Sequence, residues 1–165
     1  MSAIAPEDKE RRTAEDWVEA FAEAWRAPGD VDAFAEHFEA WFTDDVRMVQ
    51  PQLPTTVGKR AFREGFRAAF DLMPDLHATV RSWATDGDVV FIEFALEGTI
   101  GGRHVRMPAV DRFTLRDGLV SERIAHFDPT PLLVAVAASP RAWPMFLRVQ
   151  GSRVIRGLQR GGGSR

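Results

Sequence analysis

Between Val105 and Leu115 every second residue is apolar, Val105, Met107, Ala109, Phe113 and Leu115, except for Asp111. Successive side chains of a strand point to opposite faces, so this phase faces the core. The other phase, His104, Arg106, Pro108, Val110, Arg112 and Thr114, faces out. An isolated buried carboxylate is costly, so Asp111 must be paired, hydrogen-bonded or protonated. In a pocket such a group is a general acid or base. Otherwise it is a structural carboxylate held by a buried arginine. Gln50 repeats the pattern more weakly: Val46, Met48 and Gln50 share one phase of a short extended piece that runs into Pro51. It reads either as an inward polar group or as a surface amide.

Arg123 depends on the turn at Asp117-Gly118. A two-residue loop sets Ile124 opposite Asp111 and turns Glu122 and His126 inward. A three-residue loop with a bulge at Gly118 sets Arg123 opposite Asp111, where it could pair with the carboxylate and keep it ionised.

Other chemistries find little support. The chain of 165 residues has no Cys, which excludes disulfides, thiol catalysis and cysteine-based metal sites. His37, His77, His104 and His126 lack any metal-ligand spacing, so no metal site is expected. Ser139 lies in no nucleophile elbow. Gly98-Thr99-Ile100-Gly101-Gly102 is a hairpin turn with no helix after it, unsuited to cradling phosphate. A net charge of −3 gives no electrostatic case for nucleic acid. The polar N-terminus carries no secretion signal and no window is apolar enough for a membrane span, so a cytoplasmic protein with no membrane partner is expected.

The elements that would position these groups come in two blocks. Thr13 and Asp16 form a capping-box pattern ahead of Trp17, Phe21, Ala24 and Trp25 at helical spacing. Phe34, Phe38, Trp41 and Phe42 mark a second helix, broken by Thr43-Asp44-Asp45. Phe62, Phe66, Ala69 and Phe70 mark a third, after Gly58. From residue 76 the period changes to two. Strands are predicted over 77–84, 89–97, 104–115 and 119–127, joined by hairpin-like turns. Helices followed by an antiparallel meander give an α+β layer fold. The aromatic stripes read as core or as pocket wall, Trp17, Phe21, Trp25, Phe62 and Phe66 among them. After Asp128 there is no acidic residue but six arginines, Arg141 to Arg165. A short helix is expected over 130–138, then an apolar segment over 141–150 packed on the domain, then a loosely ordered end.

The run from Val110 to Arg123, VDRFTLRDGLVSER, resembles the signature hairpin of the SnoaL-type polyketide cyclases, in the nuclear transport factor 2-like superfamily. Pro28-Gly29-Asp30, Phe42-Thr43-Asp44-Asp45-Val46, Gly58-Lys59-Arg60-Ala61-Phe62, Gly98-Thr99 and Gly102-Arg103 follow in the family's order, over residues 12 to 130. The resemblance implies a cone-like α+β barrel, three N-terminal helices over a curved, mostly antiparallel sheet, and a homodimer. It puts Asp111 where the cyclases carry their acid/base aspartate and the ketosteroid isomerases an oxyanion-hole aspartic acid kept protonated by an apolar site. It also favours the bulged hairpin and an inward Arg123.

Departures matter as much. Gln50 stands where the isomerases carry their base, and Phe21 near their catalytic tyrosine. Ile92, Phe94 and Ala125 stand near the Arg and two Asp of the limonene epoxide hydrolases, and Ile100 where many SnoaL-type proteins have a His. The domain is expected over 13–138, between an extended or disordered 1–12 and a basic extension over 139–165. The function expected is a cofactor-independent cyclase, isomerase or dehydratase acting on a small apolar cyclic ligand such as a polyketide, terpenoid or steroid. Asp111 is its acid/base, Arg123 tunes Asp111, and Gln50 orients a substrate oxygen. Phe21, Trp25, Met48, Phe62, Phe66, Ile92, Phe94, Met107, Ala109, Phe113, Ala125 and Phe127 would wall the pocket. The alternative is a non-catalytic binding or accessory protein of the same fold, and an epoxide hydrolase ranks below both. The dimer is expected through the outer sheet face, around Val110, Val120, Ile124, Arg106, Arg112 and Glu122.

Overall fold

The computed structural model describes residues 12–50, 55–144 and 147. The expectations for 1–11 and 148–165, which include most of the basic extension, lie outside the described residues.

Helix α1 (Ala14–Arg26) starts on the predicted capping box: the Asp16 backbone N–H donates to the Thr13 hydroxyl, and the Thr13 N–H donates to the Asp16 carboxylate at 2.6 Å. It buries Trp17, Val18, Phe21 and Trp25. Helix α2 (Val31–Glu39), capped by Asp30, is shorter than its aromatic stripe suggested. Trp41 and Phe42 lie past its end, and Phe42 opens strand β1 (Phe42–Val49). Thr43-Asp44-Asp45, expected as a break, is strand. Pairing with a neighbour overrides local propensity there, and the register irregularity between Phe42 and Arg47 leaves both aspartates exposed. A two-residue strand that the sequence did not announce, β2 (Thr56–Val57), pairs antiparallel with β1. Helix α3 (Lys59–Leu72) follows Gly58, whose φ of 89° suits glycine, and buries Phe62 and Phe70.

The meander appears where the period changes: β3 (His77–Asp86), β4 (Val89–Ile100), β5 (Arg103–Arg116) and β6 (Leu119–Phe127). The sheet runs β2-β1-β6-β5-β4-β3. Among the described residues, only β1 and β6 pair in parallel. The architecture is α+β: the described residues form four α-helices and a six-stranded sheet that does not close on itself. One core joins the helices to the inner sheet face, with Trp17 near its middle: its ring lies 5.0 Å from Phe113, 5.7 Å from Phe38 and 5.9 Å from Phe21.

Helix α4 (Thr130–Ala137) lies where the sequence placed it and buries Ala135 and Val136. A 3-10 turn (Pro140–Ala142) follows. The described residues after it pack less than expected. Trp143 donates its indole N–H to the Val136 carbonyl at 2.9 Å, yet it is 50% exposed and Leu147 is 64% exposed. Among the described residues no helix is long and apolar enough to cross a membrane.

Candidate active site

The alternation of β5 holds along its length: Val105, Met107, Ala109, Asp111, Phe113 and Leu115 are all buried, and the residues between them are exposed or half-buried. Asp111 has no exposed surface. Its cross-strand neighbours are Ile92 on β4 and Ala125 on β6, so both flanks are hydrocarbon.

Arg123 is inward as expected, but by neither route the hairpin offered. The loop is the two-residue one: Asp117 (φ 54°) and Gly118 (φ 74°) both adopt the left-handed backbone that a tight hairpin needs, and Arg116 pairs with Leu119. The extra residue sits further along. Leu115 pairs with Val120, then Thr114 pairs with Glu122, so Ser121 is a bulge in β6, its hydroxyl donating to the Thr114 carbonyl at 3.1 Å. The tight turn sets Val120 opposite Leu115 and so buries it, although it was expected on the outer face, and the bulge beyond leaves Glu122 and His126 out of the core. That bulge places Arg123 opposite Phe113 and Ala125 opposite Asp111. Arg123 therefore reaches Asp111 diagonally, within the span of a long side chain.

The contact is short: Arg123 Nε donates to Asp111 Oδ2 at 2.5 Å. The other carboxylate oxygen, Oδ1, is buried without a partner among the described residues. Burial pushes the Asp111 carboxyl above its usual range, and the Arg123 charge and hydrogen bond pull it only part of the way back, with a smaller pull from His126. A carboxyl raised in this way exchanges a proton closer to neutral pH than a surface one, as acid/base catalysis requires.

Beside this pair lies an aromatic cavity. Trp17, Phe21, Trp25, Phe38, Phe42, Phe62, Phe66, Phe113 and Arg123 line it, and its volume of ≈ 10 Å³ is about the least that holds one water. Of the residues predicted for the pocket, Phe21, Trp25, Phe62, Phe66 and Phe113 line it, as does Arg123. Met48, Ile92, Phe94, Met107 and Ala109 belong to the surrounding core, with Ala125 buried and Phe127 half-buried beside it. Asp111 was expected on the cavity wall; it sits behind it, and Arg123 is the polar group that reaches the lining. Gln50 is half-buried just past the end of β1 and is not in the lining. Phe38 and Phe42 are wall residues that the sequence reading left as plain core, although their helical spacing with Phe34 was visible. The indole Nε1 of Trp17 is also buried with no partner among the described residues. Among the described residues no three His, Asp or Glu side chains gather as metal ligands would.

A family model described as SnoaL-like domain matches residues 18–123, most of the helices and all of β5. The chain belongs to the SnoaL-like domain family. Solved structures share the SnoaL-like fold at low identity. One assigned as a SnoaL-like polyketide cyclase from Jannaschia sp. CCS1 is 21% identical, with a TM-score of 0.67 over 82% of this chain and 100% of that one. A hypothetical protein with a ketosteroid isomerase-like fold from Catenulispora acidiphila, in complex with trimethylamine, is 20% identical, with a TM-score of 0.64 over 74% of this chain and 93% of that one. TerC, co-crystallised with polyporic acid, is also 20% identical, with a TM-score of 0.62 over 73% and 97%. At these identities the likeness establishes the fold alone. Curated proteins give no significant match to this SnoaL-like chain.

Proposed function

We propose that this SnoaL-like domain is an acid/base enzyme of the cyclase, isomerase or dehydratase type, with Asp111 carrying the proton. The observation that carries the reading is a fully buried carboxylate with one oxygen held by Arg123 at 2.5 Å and the other without a partner among the described residues. A structural ion pair would satisfy both oxygens, whereas a proton carrier needs one lone pair left for its substrate. Arg123 fixes the orientation of the carboxyl and limits how far its affinity for protons rises. No step in this chemistry calls for a cofactor. The substrate class is a small, mostly apolar cyclic molecule, in keeping with the aromatic lining and with the polyporic acid bound by TerC. Gln50 has no part in this reading, because it stands outside the lining.

The cavity as it stands is too small for such a molecule, so side chains of its wall must move aside for a ring to reach Asp111. A second reading draws on that same small volume: a binding or accessory protein that has closed its pocket. Asp111→Asn separates the two. It keeps the shape and the bond to Arg123 but cannot carry the proton, so turnover of a panel of cyclic ketones and polyketide-like enols should fall by at least a hundredfold with the fold intact. Equal turnover in Asp111→Leu would end the catalytic reading. We further propose a homodimer through the outer sheet face, where Val110 and Phe91 are 38% and 39% exposed among charged residues. A monomer mass in light scattering at micromolar concentration would refute it.

A further inference from the structure

We infer that Trp17 recognises the ligand: its indole N–H, together with the Arg123 guanidinium, holds the acceptor oxygen of a flat ring seated in the aromatic cavity. The inference rests on the site proposed above but concerns binding, not proton transfer.

Trp17 has no exposed surface, and its Nε1 has no hydrogen-bond partner among the described residues. A buried indole N–H ordinarily finds an acceptor, and leaving it without one costs as much as a lost hydrogen bond. A phenylalanine would fill much of this place with no such cost, so the nitrogen asks for an explanation. Trp17 lines the cavity, and so does Arg123. Arg123 donates through Nε to Asp111 and makes no other side-chain hydrogen bond among the described residues, which leaves its terminal nitrogens available. Indole and guanidinium are donors only. The chain has no Tyr and no His lines this cavity, so indole is the aromatic donor of its wall.

An indole N–H and a guanidinium suit a carbonyl, phenolate or enolate oxygen as their partner. The rest of the lining is ring faces and edges, which favour another flat ring. The resting volume of ≈ 10 Å³ keeps that ring compact, because each further ring displaces another wall side chain. The substrate class is therefore a compact planar phenol or cyclic enone that presents one acceptor oxygen to Trp17 and Arg123. An oxygen gaining negative charge during the reaction would be held more tightly there than the neutral one.

The test uses 4-nitrophenol, whose neutral and ionised forms differ in absorbance. The wild-type chain should bind the phenolate in preference to the phenol, so that the bound dye ionises at lower pH than the free dye. Replacing Trp17 by 3-benzothienylalanine keeps the ring shape and deletes the N–H. That variant should lose about tenfold of the preference, moving the ionisation of the bound dye up by about one pH unit, with toluene binding unchanged. Trp17→Phe should behave alike if it folds, and the benzothienyl variant decides the matter if it does not. A benzothienyl variant with the full wild-type preference overturns the proposal. So does a wild-type chain that takes up neither form of the dye or favours the phenol. A chain that binds phenolate as described but turns nothing over, with or without Asp111, fails the catalytic reading and keeps this one.

Discussion

Arg123 and Arg63 both hold carboxylates, one behind the inner face of the sheet and the other between α2 and α3. Arg63 grips Glu39 with two nitrogens, at 2.9 and 2.8 Å, and reaches Asp32 at 3.4 Å, while Arg67 also bonds Asp32. Its side chain keeps 26% of its surface in water. Arg123 makes a single bond to a carboxylate that water does not touch. By contact count the helix cluster is the stronger of the two. By consequence it is the weaker, because its members can fall back on solvent when a partner is lost. Asp111 has no such fallback, and a buried charge without its partner bears the full desolvation cost. The number of bonds around an arginine is thus a poor guide to its importance; what the partner would face without it is a better one.

The largest expected effect is that of Arg123→Met, which strands the Asp111 carboxyl in hydrocarbon. It should lower unfolding stability at pH 7 by about 3–5 kcal/mol in urea titration. A loss well under 1 kcal/mol would mean that water already reaches Asp111, and the contrast drawn above would collapse. Asp111→Leu combined with Arg123→Met removes both charges, and should return to within about 1 kcal/mol of the wild type. The double variant thereby separates the cost of an orphaned charge from the net worth of the pair.

Next in size is a dependence on pH. The carboxyl of Asp111 is raised above its ordinary 3.8 in the folded chain, so between that value and the folded-state value the native protein binds more protons than the unfolded one. Its contribution is complete below about 3.8 and is lost as pH rises through the folded-state value. Asp111→Asn removes this dependence, so its stability relative to the wild type should climb as pH rises from 4, then level off. Asp16, Asp32, Asp45, Asp75 and Asp128 are all lowered by their hydrogen bonds, so their contributions have the opposite sign and vanish on acidification. They are common to both proteins and cancel in the difference. A flat difference between pH 4 and 7 would contradict a raised Asp111.

The smallest effect is expected from Arg63→Ala. It should lower the midpoint of urea unfolding less than either charge-stranding change, and half-molar salt should shrink the loss further, since exposed pairs are screened and buried ones hardly are. If Arg63→Ala matched Arg123→Met, the helix cluster would be the true clamp of the fold.

Why some of this could be read beforehand and some could not follows from the range of the forces. The capping box is a contact between residues three apart, and the burial of Asp111 follows from a period of two, so both are written locally. The partnership of β1 with β6 spans most of the chain, and nothing near Thr43-Asp44-Asp45 announces that a distant strand will hold it extended. The inward Arg123 depended on where one extra residue goes. A longer loop at Gly118 and a bulge at Ser121 put the same arginine on the same face, and the side taken by Val120 and the partners of Phe113 and Asp111 tell them apart. The aromatic residues announced a wall but not a volume. Period shows which rings point inward, whereas the space between them is set by packing across α1, α2, α3 and β5 together.

The bulge at Ser121 behaves like a reading frame. Past it, β6 is decoded as Arg123 and Ala125 inside, Glu122 and Ile124 outside. Pair Ser121 with Thr114 instead, while the turn stays as it is, and every later side chain changes sides. Glu122 would then stand beside Phe113 and Ile124 beside Asp111, two inward carboxylates with no cation between them. The same hairpin letters, read one place along, would spell a face unable to hold a charge.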